Sequence, residues 1–296
     1  MDPLVTSAPV GKALRPDNGK RGASWKPSFT QLMLAIPVAY MLVLFAYPVG
    51  GVLSRSITDP TFGLGNFSEA LGDPLIRKIM WITVRLALEV SIVTVVLGFP
   101  IAYYLSIQSK RRARLLTLLI IIPFWTSVLV RSFAWVVLLG DNGVVTNLLA
   151  PLRGTSQGML YTEPAVVLAM VHVMLPIAVL IIKATMDQID PGLVRAARTL
   201  GAGPVVAYVK VYLPLAWPAV VSSFMLMFIL GLGYYITPAL IGGPGQTTIA
   251  MLIEQNVNVQ VDWGMAATLS TILLVGSLAI YALVRRFTKI GGVVGL

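Results

Sequence analysis

The sequence contains no cysteine and a single histidine, His172. Disulfides, thiolate metal sites and cysteine nucleophiles are thereby excluded, and one imidazole completes neither a metal-ligand set nor a Ser/His/Asp triad. Charge is scarce too: Asp, Glu, Lys and Arg make up 11% of 296 residues, and the 12 acids are too dispersed for the paired carboxylates of acid–base catalysis. There is no Gly-x-x-x-x-Gly-Lys-Ser/Thr phosphate loop. Gly242-Gly243-Pro244-Gly245 lacks the lysine, and Gly231-Leu232-Gly233 is a two-glycine fragment of a dinucleotide fingerprint. No enzyme activity is expected, nor any cofactor or metal bound by this chain.

What the sequence does have is apolar length. Hydrophobic residues are 57% of the chain and the mean hydropathy is +0.84, beyond what a water-soluble surface allows. Six runs, near 31–53, 79–105, 115–139, 164–186, 216–240 and 263–284, reach the ~20 residues a helix needs to cross a bilayer. They do not alternate as membrane barrel strands do. The expected fold class is an all-α integral membrane protein with six transmembrane helices. The polar, basic residues 1–28 lack a cleavage-site pattern and read as a tail rather than a cleaved signal peptide, with the first helix as a signal anchor.

A net charge of +10 could suggest nucleic acid, but the basic residues alternate by loop instead. Sixteen of the 22 lie before helix one, between helices two and three, in or after the end of helix four, or after helix six; Arg55, Arg77, Lys78 and Arg153 fall on the other side. Under the positive-inside rule both termini are cytoplasmic. No nucleic-acid partner is expected; membrane lipid is. The chain divides into a tail (1–28), a six-helix domain (29–290) with a cytoplasmic loop (187–214), and a short C-terminal tail (291–296).

That loop has helical punctuation. Asp190 is an N-cap and Pro191 a first helical residue. Leu193, Ala196, Ala197 and Leu200 share one face, Arg195, Arg198 and Thr199 another, and Gly201 can end the helix in the left-handed conformation. A second amphipathic segment, Val205 to Tyr212, follows and is expected to break at Pro214. Such helices either rest on the inner leaflet or are presented to a soluble partner.

The spacing favours the partner. Ala196-Ala197, Gly201, Val211 and Leu213-Pro214 resemble the signature of ABC importer permeases, in which Glu-Ala-Ala precedes a glycine, a nine-residue gap, an aliphatic residue and Leu-Pro. "PFWTSVLVRSFAW" (123–135), "YYITPALIGGPG" (234–245) and "DWGMAATLS" (262–270) are similar to the spermidine/putrescine type. The resemblance implies the type I permease fold and a coupling helix built from Asp190, Pro191, Leu193, Val194, Arg195 and Ala196, continuing through Ala197, Arg198, Leu200, Gly201 and Ala202. It also implies two copies of an ATPase subunit that carry ATP and Mg, a second related permease, an extracytoplasmic solute-binding protein and a bacterial inner-membrane location. The solute is then a small cation of the polyamine kind, or another amino-bearing solute such as an opine, an aminophosphonate or an amino-acid derivative. At the acidic first position of the signature this chain has Arg195, a reversal of charge.

Ionisable and aromatic groups within the spans are candidates for the solute pathway. Arg85 and Glu89 can meet one turn apart, as a self-neutralising pair or with Glu89 attracting an amine. Arg131 either snorkels to the headgroups or serves the pathway. Trp125 offers a face for an alkylammonium group, or is an interface anchor. His172, one turn before Pro176, reads as a hydrogen-bonded histidine at a kink or as pathway lining. Asp187 is an inner exit contact or a local cap. Gly231, Gly233, Tyr234, Tyr235, Thr237 and Pro238 favour an interrupted helix, where transporters place sites, or close helix packing. A secondary transporter using Glu89, Arg131 and His172 is the alternative class.

Overall fold

A computed structural model describes residues 29–155 and 157–288. The tails expected at 1–28 and 291–296 lie outside them. The described residues are helical, with no strand among them. The helices are Phe29–Thr58 (α1), Gly65–Gly72 (α2), Pro74–Ser106 (α3), Lys110–Ile121 (α4), Val128–Leu139 (α5), Val144–Arg153 (α6) and Glu163–Met186 (α7). Then come Pro191–Thr199 (α8), Pro204–Leu232 (α9), Ile236–Ile241 (α10), Ile249–Gln255 (α11) and Trp263–Thr288 (α12). Two compact units are distinguished, residues 1–48 and 49–296; the described part of the first is the N-terminal portion of α1.

Among the described residues five segments are long and apolar enough to span a membrane, and a sixth is formed if α4 and α5 are counted together. The continuous third span expected at 115–139 is therefore corrected: it is bent by 91° between Lys110–Trp125 and Val128–Leu139. The cause is local. Pro123 has no amide hydrogen to continue the helix, the chain tightens into a 3₁₀ turn at Ile122–Trp125, and Thr126 is extended (φ −90, ψ 144). Ser127 then starts a new helix, its hydroxyl accepting from Leu129 N at 3.3 Å.

The fifth span is also redrawn. Pro214 does not break the amphipathic segment; Pro204–Leu232 runs through it as one span. A π-turn at Tyr208–Tyr212 precedes it, and this wider turn relieves the ladder where proline can neither donate nor tolerate a close carbonyl. The segment between α7 and the start of α9 accordingly covers residues 187–203. At its other end α9 stops at Leu232 rather than near 240, and helix resumes only at Ile236. The interruption expected from Gly231, Gly233 and Pro238 is present.

Within the second unit α3, α7 and α9 form the core. Leu86 and Val90 of α3 pack with Met170 and Met174 of α7 and Met227 of α9, all buried. Small residues let the backbones approach: a Cβ on Gly231 would lie 3.1 Å from Ala87 Cα, and one on Gly98 3.5 Å from Ala178 Cβ. Polar groups are satisfied inside this core, as where Ile249 N donates to the buried Thr83 hydroxyl at 2.9 Å and ties α11 to α3.

Candidate functional site

Two regions stand out, one at the basic end of the bundle and one within it. At the basic end, α8 is defined at both termini. Asp190 Oδ1 accepts from Gly192 N at 2.8 Å and Pro191 occupies the first turn. At the C-terminus Gly201 has φ +90. Its amide donates to Arg198 O at 3.1 Å and that of Ala202 to Ala197 O at 3.0 Å, the two bonds of a Schellman cap. None of its nine residues is buried, so the two caps and the contacts along one side define it.

Its orientation is informative. Pro191, Val194, Arg195 and Arg198 line a groove of about 530 Å³ against Tyr103, Ser106, Met186, Tyr208 and Tyr212 of the membrane helices. The Tyr103 ring packs edge-on to Tyr208 at 5.1 Å and to Tyr212 at 5.2 Å, which makes a firm aromatic floor. Leu193, Ala196, Ala197 and Leu200 point the other way, about 160° around the helix at 100° per residue. Leu193 is 47% and Leu200 87% exposed. The apolar face thus looks away from its own chain, and Arg195, at the position of charge reversal, faces the groove.

The second region is largely buried: Arg131, Ser132 and Thr237 are buried, and His172 and Tyr234 half-buried. Arg131 and Ser132 of α5, His172 of α7, Tyr234 in the interruption and Thr237 of α10 come together, though they span more than a hundred positions in sequence. Ser132 Oγ and Thr237 Oγ1 share a hydrogen bond at 3.0 Å. Trp135 Nε1 donates to His172 Nδ1 at 3.2 Å with ring centroids 5.5 Å apart, so a neutral His172 carries its proton on Nε2. Arg131 is only 8% exposed, its guanidinium carbon 5.4 Å from the centre of the Phe124 ring. Its charge is close enough to act on His172 and Tyr234. Neither Nε nor Nη1 of Arg131 has a hydrogen-bond partner among the described residues, and no carboxylate pairs with it there. The Tyr234 hydroxyl lies near Thr237 but makes no well-formed hydrogen bond. Nε and Nη1 of Arg131 are enclosed by protein, which favours a role inside the bundle over snorkelling.

The remaining candidates are elsewhere. Arg85 bonds Glu89 at 2.8 Å, as the one-turn spacing predicts, and also Glu163 at 2.7 Å. Glu163 was not singled out, although its place before Pro164 at a helix start was the available signal. Lys183 and Asp187 form an ion pair one turn apart, which makes Asp187 a neutralised helix end. Trp125 is 88% exposed at the end of the 3₁₀ turn, and Tyr235 is 37% exposed. No group of three or more metal-ligating side chains exists among the described residues.

Comparison with known proteins follows the same lines. The family described as "Binding-protein-dependent transport system inner membrane component" matches residues 94–289. The spermidine/putrescine transport system permease protein PotB of Salmonella typhimurium (strain SL1344) is 29% identical over 223 residues, 74% of this chain and 77% of that protein. The inner membrane ABC transporter permease protein YdcU of Escherichia coli (strain K12) is 30% identical over 249 residues, 79% of this chain and 78% of its own. Among solved structures, a bacterial alginate ABC transporter in complex with alginate pentasaccharide-bound periplasmic protein superposes with a TM-score of 0.69 at 16% identity, covering 90% of this chain and 96% of that one. At that identity the likeness speaks for the fold. The chain belongs to the binding-protein-dependent transport system inner membrane components, the multi-pass, non-catalytic permease subunits of ABC importers, which work with ATPase subunits and a periplasmic binding protein.

Proposed function

We propose that this permease receives the work of ATP hydrolysis through α8 and uses it to import a small amino-bearing solute. The observation that carries the reading is the outward apolar face of α8. A capped helix that leaves Leu193, Ala196 and Leu200 exposed, with Ala197 half-buried at the edge of that face, keeps apolar area in water unless a partner covers it. An ATPase subunit is that partner, and two copies serve a pair of related permeases. ATP binding draws the ATPases together, α8 moves with them, and the spans rearrange around a shared path. The basic residues near α4 and α8 support a cytoplasmic position for this end.

For the solute, the polyamine type is supported by the relatives named for spermidine and putrescine transport. A second reading, an amino-bearing solute that also carries an acid group, is favoured by Arg131, a buried positive charge that repels a bare polycation. Pathway lining is assigned to Arg131, His172, Tyr234 and Thr237. Deleting residues 194–202 tests the coupling assignment. The protein should still insert, while the ATPase no longer co-purifies and uptake stops; retained co-purification with retained uptake would mean that coupling lies elsewhere.

A further inference from the structure

A guanidinium cannot shed its charge by losing a proton, so burying one without an anion is among the most costly arrangements a membrane protein can hold. Arg131 is in that position: 8% exposed, with Nε and Nη1 unpartnered and no carboxylate near it among the described residues. The acids in the neighbouring helices are already engaged, Glu89 and Glu163 with Arg85 and Asp187 with Lys183. The aromatic ring of Phe124 softens the cost but supplies no counter-charge. Tyr234 adds a hydroxyl with no well-formed hydrogen bond, and it sits where the chain leaves helix between Leu232 and Ile236. Interrupted helices at membrane depth are where transporters form solute sites, because their unpaired backbone groups need a cavity to face. His172 lies nine residues into α7, roughly 14 Å along a span of 24 residues at 1.5 Å per residue, so the cluster sits toward the middle of that span rather than at its end.

Resting on the importer reading, we propose that Arg131 and Tyr234 bind an oxyanion of the transported solute, a carboxylate, phosphate or phosphonate, so that the solute is amphoteric rather than a bare polyamine. A fixed carboxylate of the second permease is the rival source of the anion. With Arg131 only 8% exposed, either anion needs the spans to open around it; the rearrangement that carries an importer through its cycle offers that opening to a mobile solute, and the variants below separate the two sources. The planar fork of the guanidinium matches two oxygens of one such group, and the phenol donates a further bond.

Ornithine and putrescine differ by one carboxylate and are the probes. The detergent-purified complex of both permeases and the ATPase is titrated with each at millimolar concentrations, and binding is read as a thermal shift. Ornithine should stabilise the wild-type complex and putrescine should not. Arg131→Gln should weaken ornithine binding about 10- to 100-fold and Tyr234→Phe about 3- to 10-fold, the ranges for losing a charged and a neutral hydrogen bond; Arg131→Lys should fall between wild type and Gln. The proposal is overturned if putrescine stabilises as well as ornithine, if neither shifts the wild type, or if both variants bind ornithine as wild type does. If Arg131→Gln separates the two permeases while Tyr234→Phe binds ornithine normally, the anion belongs to the partner and the proposal falls. The importer reading fails separately, if the intact complex with its binding protein shows no ATP-driven uptake in vesicles.

Discussion

Replacing Leu200 by alanine separates the two jobs a helix can do, folding its own chain and docking a partner. At 87% exposure the side chain makes almost no contribution to the core, so the melting temperature should stay put and the stability change should remain within ~0.5 kcal/mol. In a docked complex the same side chain becomes buried. Truncation to alanine removes about three carbons' worth of apolar surface at ~0.8 kcal/mol each, or ~2 kcal/mol after partial compensation. At 1.4 kcal/mol per decade, the permease should bind its ATPase about 30-fold more weakly. The assay is a titration of nanodisc-embedded permease with purified ATPase in the absence of nucleotide. Arg195→Glu is the internal control. It reverses charge on the face that lines the groove, so ATPase affinity should change by less than about threefold. An unchanged affinity for Leu200→Ala, or a larger loss for Arg195→Glu than for Leu200→Ala, would refute the assignment of faces.

Three further outcomes follow from the packing and the caps. Asp190→Ala removes the side-chain acceptor at the start of α8; about 1 kcal/mol of helix stability should be lost, seen as faster amide exchange across 191–199 and weaker ATPase recovery. Gly231→Ala forces a methyl to within 3.1 Å of Ala87 and should destabilise by ~1–3 kcal/mol in thermal unfolding, whereas Gly233→Ala, with open space around its Cβ, should be tolerated. Thr83→Val leaves the amide of buried Ile249 without its acceptor and should cost ~1–3 kcal/mol, with proteolysis beginning near α11.

Much of the architecture was legible along the chain because hydrocarbon imposes one rule: backbone groups must be bonded within the segment that crosses it. That rule makes hydropathy a direct reading of spans α3, α7, α9 and α12, and the same logic of unsatisfied helix ends made Asp190, Pro191 and Gly201 readable as caps. It failed at the third span. Hydropathy is continuous through Pro123 to Ser127 and hides a 91° bend that only the missing amide of Pro123 and the capping Ser127 disclose. It failed again at Pro214, where a π-turn outside any propensity rule absorbed the proline.

The sites divide the same way. A period of 3.6 residues sorts α8 into an apolar and a basic face, but it cannot say which face meets the rest of the protein. That the leucines stand outward while the arginines, themselves still exposed, border the tyrosine-floored groove is a property of the assembled helices. Arg131, His172 and Thr237 each stood out in sequence as isolated polar residues in apolar runs, each with a bland reading at hand. Only folding brings α5, α7 and α10 together, and only then is Arg131 left with no carboxylate beside it. Local chemistry in the chain fixed that this is a helical membrane protein with a capped basic-side helix. The tertiary structure decided which charges are answered and which await a partner, because counter-ions are matters of distance in space.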